Sequence, residues 1–121
     1  MTIKSTGMTI KDITGLIDGK GICGEDKAFE SVEYAFASDL MSDVLTVEKE
    51  NILLITGLTN LQVIRTSEMS DINCVIFARD KKAGDDIIML AKENNITLIE
   101  SPHSVFHVSG KLYNAGLKPI Y

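Results

Sequence analysis

The spacing of apolar residues changes several times along the chain, and each change predicts an element. After Thr9, a residue able to cap a helix, Ile10, Ile13, Leu16 and Ile17 recur at three-to-four spacing and predict a short amphipathic helix that stops before Gly19. Ile22-Cys23 and then Val32 to Ala37 predict two strands joined by the polar stretch Gly24 to Ser31. Ser38-Asp39 breaks the pattern and Leu40 to Val47 predicts a short helix. Ile52-Leu53-Leu54-Ile55 is a continuous apolar run, the signature of a strand covered on both faces. Beyond the loop Thr56 to Asn60, the pattern predicts a helix over about Leu61 to Ser70, a strand at Cys74 to Phe77, a polar turn at Arg79 to Gly84, a helix over about Asp85 to Glu93 and a strand at Ile96 to Ile99. Ser101-Pro102 predicts the start of a last helix, with serine as cap and proline in the first turn. That helix runs to about Ala115 and ends at Gly116.

Strand and helix alternate through the second half at the spacing of βαβ units, and such units require a largely parallel sheet covered on both faces. The predicted fold class is therefore α/β, a three-layer α/β/α sandwich with a mostly parallel sheet of about five strands. Residues 1–8 are expected to form a flexible tail and residues 9–121 a single domain, the usual content of a chain of this length.

Composition narrows the partners more than the fold. The net charge of −5 includes no basic block, so the counterion release that drives nucleic-acid binding has no source. No apolar stretch approaches the roughly 18–20 residues needed to cross a bilayer, and Met1 to Lys11 lacks the apolar middle of a signal peptide, which leads to the expectation of a cytoplasmic protein without a membrane partner. Cys23 and Cys74 are isolated within apolar runs and predict buried, reduced thiols. No cofactor is called for.

Three motifs carry candidate chemistry. Gly19-Lys20-Gly21-Ile22-Cys23-Gly24 spells G-x-G-x-x-G, but its glycines follow a predicted helix and surround a predicted strand. The dinucleotide fingerprint needs them between a strand and a helix N-terminus. Gly15 followed by Gly19-Lys20 is one residue short of a P-loop, and Gly21 stands where a hydroxyl must reach magnesium. His103 and His107 lie four apart on a predicted helix, a spacing that lets both rings face one way, yet a metal site needs a third ligand and none is adjacent. No G-x-S-x-G elbow is present. The chain carries no complete catalytic set, and no catalytic or metal-binding residue is assigned.

The stronger candidates are the loops that follow the strands, where helix N-termini and free amides converge in parallel sheets. Ser38, Asp39 and Ser42 form one such group, Thr56, Gly57, Thr59 and Asn60 a second, and Ser101 with His103 a third; Arg79 adds positive charge after a fourth strand. Hydroxyls, amides and a guanidinium are the groups that hold a small anionic ligand.

The runs Ile17-Asp18-Gly19-Lys20-Gly21-Ile22-Cys23-Gly24-Glu25, Ala37-Ser38-Asp39-Leu40-Met41-Ser42-Asp43-Val44 and Leu54-Ile55-Thr56-Gly57 resemble the DRTGG domain, over about Thr9 to Leu117. That family includes small stand-alone proteins and is similar to the N-terminal domain of HPr kinase/phosphorylase. The letters that name the family are missing here: its acid-arginine pair would be expected near Gly57-Leu58-Thr59 and its Thr-Gly-Gly near Ala78-Arg79-Asp80. The resemblance implies a regulatory or dimerising accessory of the kind attached to phosphotransacetylases, CBS-domain proteins and pyrophosphatases. Kinase activity in HPr kinase belongs to a separate P-loop domain.

The expectation is thus a non-catalytic regulatory module, a homodimer, binding a small anionic metabolite or nucleotide at the strand-end loops. Two alternatives stand beside it. One is an interaction subunit whose protein partner is a larger metabolic or redox enzyme, and the other is a metal-dependent enzyme built on His103 and His107.

Overall fold

All five side chains of Ile52–Thr56 are buried, which only a strand covered on both faces achieves. Around this strand the computed structural model, which describes residues 7–121, arranges the rest of the chain. In order come β1 (Met8–Thr9), α1 (Ile10–Leu16), β2 (Lys20–Cys23), a 3-10 turn (Glu25–Lys27), β3 (Ser31–Val32), β4 (Tyr34–Ala37), α2 (Met41–Val44), β5 (Ile52–Thr56) and α3 (Leu61–Met69). They are followed by β6 (Cys74–Phe77), α4 (Asp85–Glu93), β7 (Thr97–Glu100), α5 (Val105–Ala115) and β8 (Lys118–Pro119).

The main sheet has six strands in the order β2-β7-β6-β5-β4-β8. All neighbours pair in parallel except β2, which lies antiparallel on β7 at one edge. Crossovers in a parallel sheet turn the same way, so adding β4, β5, β6 and β7 in one direction puts the intervening helices on one face. Met41 and Val44 of α2, Val63 and Ile64 of α3, and Ile87 and Ala91 of α4 accordingly share a core with Leu54, Val75, Phe77 and Leu98. The opposite face packs Ile10, Ile13 and Ile17 from the α1 region and Val108 and Leu112 of α5 on Leu53, Ile55, Ile76 and Ile99. Alternate residues of one strand thus feed two cores, each buried Leu or Ile contributing about 1.5–3 kcal/mol.

The architecture is the predicted three-layer α/β/α sandwich, with six strands in place of about five. Three local expectations are corrected. Val32 to Ala37 is not one strand: β3 pairs with β1 in a separate two-stranded sheet, and the chain changes sheets at Glu33, where the amides of Glu33 and Tyr34 both donate to the Asn51 carbonyl. The helix expected over Leu40 to Val47 is confined to Met41–Val44. The last helix is capped by Ser104, whose hydroxyl accepts from the His107 amide at 3.1 Å, and not by Ser101. His103 therefore lies outside that helix. Residues 1–6 of the expected tail lie outside the described residues, and Met8 pairs with Val32 in β1.

Both cysteines are buried and free. Burial pushes the Cys74 thiol up to about 12 and raises that of Cys23 as well. Among the described residues no helix is long and apolar enough to cross a membrane.

Candidate functional site

The carboxyl ends of β4, β5, β6 and β7 meet along one crest of the sheet. At its centre one oxygen of Asp39 accepts two hydrogen bonds, from the Thr56 hydroxyl at 2.9 Å and from the Gly57 amide at 2.8 Å. Thr56 is fully buried at the end of β5, and its oxygen also accepts from the Leu58 amide at 3.2 Å. Ser38 turns the chain so that Asp39 can reach in, its hydroxyl accepting from the Leu40 amide at 3.0 Å. The protein's own carboxylate thus takes the Gly57 amide.

The Arg79 side chain lies across Gly57: a Cβ there would sit 2.9 Å from its Cδ and 3.2 Å from one guanidinium nitrogen. Arg79 and Asp80 both have left-handed backbone, at φ 67° and 60°, which costs free energy in residues other than glycine. The cost is offset by pairing, for the Arg79 amide donates to the His103 carbonyl at 2.6 Å and the Asp80 amide to the Ser101 carbonyl at 3.0 Å. Glu100, 6% exposed, closes the loop by accepting from the Ala83 amide at 2.8 Å with Lys82 3.7 Å away. Among the described residues the Arg79 guanidinium has neither ion pair nor hydrogen bond.

At the β7 end of the crest, Nε2 of His103 lies 2.7 Å from the Asp18 carboxylate, and its ring stacks on His107 with centroids 4.1 Å apart. The hydrogen bond from His103 holds the Asp18 carboxyl below the usual carboxylate range, with the charges of His103, Lys111 and His107 acting in the same direction. The buried Ser101 hydroxyl donates to the Ile17 carbonyl at 2.7 Å and accepts from the His103 amide at 3.3 Å. The two histidines do face each other. Among the described residues, however, no three His, Cys, Asp or Glu side chains are grouped to hold a metal.

Over 99% of its length the chain superposes on a crystal structure of the CBS and DRTGG domains of the regulatory region of Clostridium perfringens pyrophosphatase, solved with its activator diadenosine tetraphosphate. The TM-score is 0.72 and the identity 19%. The chain shares the fold of a regulatory region. It spans 54% of that chain, about half its length. No protein-family model matches the sequence, and no curated protein does.

Of the residues singled out in the sequence, the fold brings together Asp39, Thr56, Gly57 and Arg79, and ties Arg79 through backbone to Ser101 and His103. Ser38 supports this group as a turn. Asn60 is the cap of α3, accepting from the Val63 amide at 3.1 Å, and Ser42 is exposed on α2. Thr59 makes no side-chain hydrogen bond among the described residues. Sequence reasoning missed Asp18 and Glu100. Glu100 carried a signal, a carboxylate closing an otherwise apolar strand; Asp18 carried none, since its partner is 85 residues away. Arg79 and Asp80, near which the DRTGG resemblance expects Thr-Gly-Gly, are consecutive left-handed residues, the conformation glycine adopts without strain.

Proposed function

We propose that this chain is a non-catalytic regulatory module, homodimeric, that responds to a small anionic ligand, such as a phosphate-bearing metabolite or nucleotide, at the Asp39–Thr56–Gly57–Arg79 crest. The observation that carries the reading is the double hydrogen bond from Thr56 and Gly57 to one Asp39 oxygen beside an uncommitted guanidinium. Asp39 is a resident stand-in for an anion.

An incoming anion competes with Asp39 for the Gly57 amide and the Thr56 hydroxyl, and gains Arg79, which Asp39 does not engage. Displacement releases the Ser38–Leu40 turn that leads into α2. Leu40 and Leu45, 58% and 49% exposed, flank that helix, so ligand binding changes an apolar surface. Such a change is what a regulatory module transmits. The likeness to a regulatory region solved with a nucleotide activator supports the same reading.

Thermal shift across inorganic phosphate, mononucleotides and diadenosine tetraphosphate tests it. Asp39→Ala frees both donors and is expected to tighten binding about tenfold. Arg79→Ala is expected to abolish binding. If no compound in that panel stabilises either the parent chain or the Asp39→Ala variant, the anion site is refuted.

A further inference from the structure

We propose a second site, unrelated to the crest's anion chemistry: the cavity between α1 and β2 binds an uncharged planar heterocycle about the size of a nucleobase. It measures about 480 Å³ and runs along the sheet edge from Asp18 and Gly19 down to Gly24 and Thr97. That volume lies within the range of small-molecule sites.

Four glycines line it, and they divide into two kinds. Gly19 is required by packing, since a Cβ would strike Ile99 Cγ2 at 2.7 Å and approach the Thr14 carbonyl to 3.2 Å. Gly24 is required by its backbone, with φ 84°, and a Cβ there would land on Thr97. Gly15 and Gly21 have neither reason. A Cβ on Gly15 meets nothing within 4 Å, one on Gly21 meets only Glu25 Cγ at 4.0 Å, and neither residue has left-handed backbone. Glycine inside a helix or a strand destabilises it relative to alanine. What these two omissions supply is open space, and both open into the same cavity.

An independent observation points to an occupant. Thr97, which lines the inner end of the cavity, is 3% exposed, and its hydroxyl has no hydrogen-bond partner among the described residues. A buried hydroxyl without a partner is costly and uncommon. The lining also selects the ligand class. Ile10, Cys23, Ala28 and Ile99 with the bare glycine backbone present apolar surface suited to the faces of a ring. Asp18 and Glu25 outnumber Lys11, whose ammonium sits 5.4 Å over the Phe29 ring, so an anion is repelled. The Thr97 hydroxyl, able to donate or accept, is covered beside Gly24 and meets one polar edge of the ring once its side chain turns toward the cavity.

The test is an amide NMR titration of the full chain with adenosine, guanosine and indole. One of the three is expected to give saturable shifts at Gly15, Gly21, Gly24 and Thr97. Gly21→Val fills the cavity and Thr97→Val removes the hydroxyl, and each is expected to weaken binding by about tenfold or more while Tm stays at or above the parent's. Arg79→Ala leaves this binding intact, so failure of the crest is read separately. The proposal is overturned if none of the three probes gives saturable shifts at those amides, or if both valine variants bind as the parent does. A lowered Tm in both variants also overturns it, by returning the glycine and the hydroxyl to the fold.

Discussion

Thr56 and Thr97 are both buried at strand ends, the first at the carboxyl end of β5 and the second at the amino end of β7, and their hydroxyls meet opposite fates. That of Thr56 donates to Asp39 and accepts from the Leu58 amide. That of Thr97 has no partner among the described residues. The difference extends to their surroundings. On the crest the amides of Gly57, Arg79, Asp80, Ser101 and His103 all find acceptors within the protein. Nearby, a Cβ on Gly15 of α1 would meet nothing within 4 Å, and one on Gly21 of β2 only Glu25 Cγ at 4.0 Å. A loop cluster that satisfies its own backbone amides holds a fixed shape, and a ligand reaches those amides only by exchange. A buried hydroxyl left unpaired carries a cost the crest avoids.

The sharpest way to break this contrast is at the glycines. Gly24→Ala combines left-handed backbone with a collision against the Thr97 main chain, a Cβ lying 2.9 Å from its Cα, and is expected to cost about 2–4 kcal/mol. Gly15→Ala, on α1 with nothing in the way, is expected to add up to about 1 kcal/mol. Urea unfolding midpoints of the two variants decide it. Equal losses at both positions would mean that the cavity is structural packing the glycines maintain.

The threonines give the next largest effect. Thr56→Val strips Asp39 of a donor and leaves the Leu58 amide unpaired, for an expected loss of about 1–3 kcal/mol. Thr97→Val removes a hydroxyl that has no partner, and is expected to leave stability unchanged or raise it by a few tenths of a kcal/mol. Parallel denaturation curves check the pair, and a Thr97→Val loss as large as that at Thr56 erases the distinction between the two regions.

How much of this was legible beforehand follows the range of the interactions. Cys74–Phe77 and Asp85–Glu93 were predicted to the residue, because an apolar run and an acidic first turn are local signals. The break at Glu33 was hidden, since Val32 and Tyr34–Ala37 form one β-prone run and only the Asn51 carbonyl, reached from both the Glu33 and Tyr34 amides, divides it. Ser101-Pro102 satisfied the rules for a helix start three residues early, because the Ser101 hydroxyl donates to the Ile17 carbonyl, 84 positions away, and accepts from the His103 amide, closing a turn ahead of the helix. On the crest, the residue types at Asp39, Thr56, Gly57 and Arg79 were readable from their place after strands. That Asp39 would itself take the Thr56 hydroxyl and the Gly57 amide was not, because nothing local pairs it with Thr56.

The smallest effect links the two regions, for Asp18 lines the cavity and reaches His103 on the crest. Its carboxyl is held below the ordinary value of 3.8 chiefly by the hydrogen bond from His103, so the folded state binds this proton less readily than the unfolded chain. The sign follows: the contribution to stability is present above that ordinary value and is lost as pH falls through the lower folded one. Asp18→Asn abolishes it. The difference in unfolding midpoint between parent and variant is therefore expected at neutral pH, shrinking as the solution is acidified, and smaller at high salt because the carboxylate is exposed. A difference that persists unchanged into acid would assign the contact to packing of the stacked rings of His103 and His107, and would cut the electrostatic tie between crest and cavity.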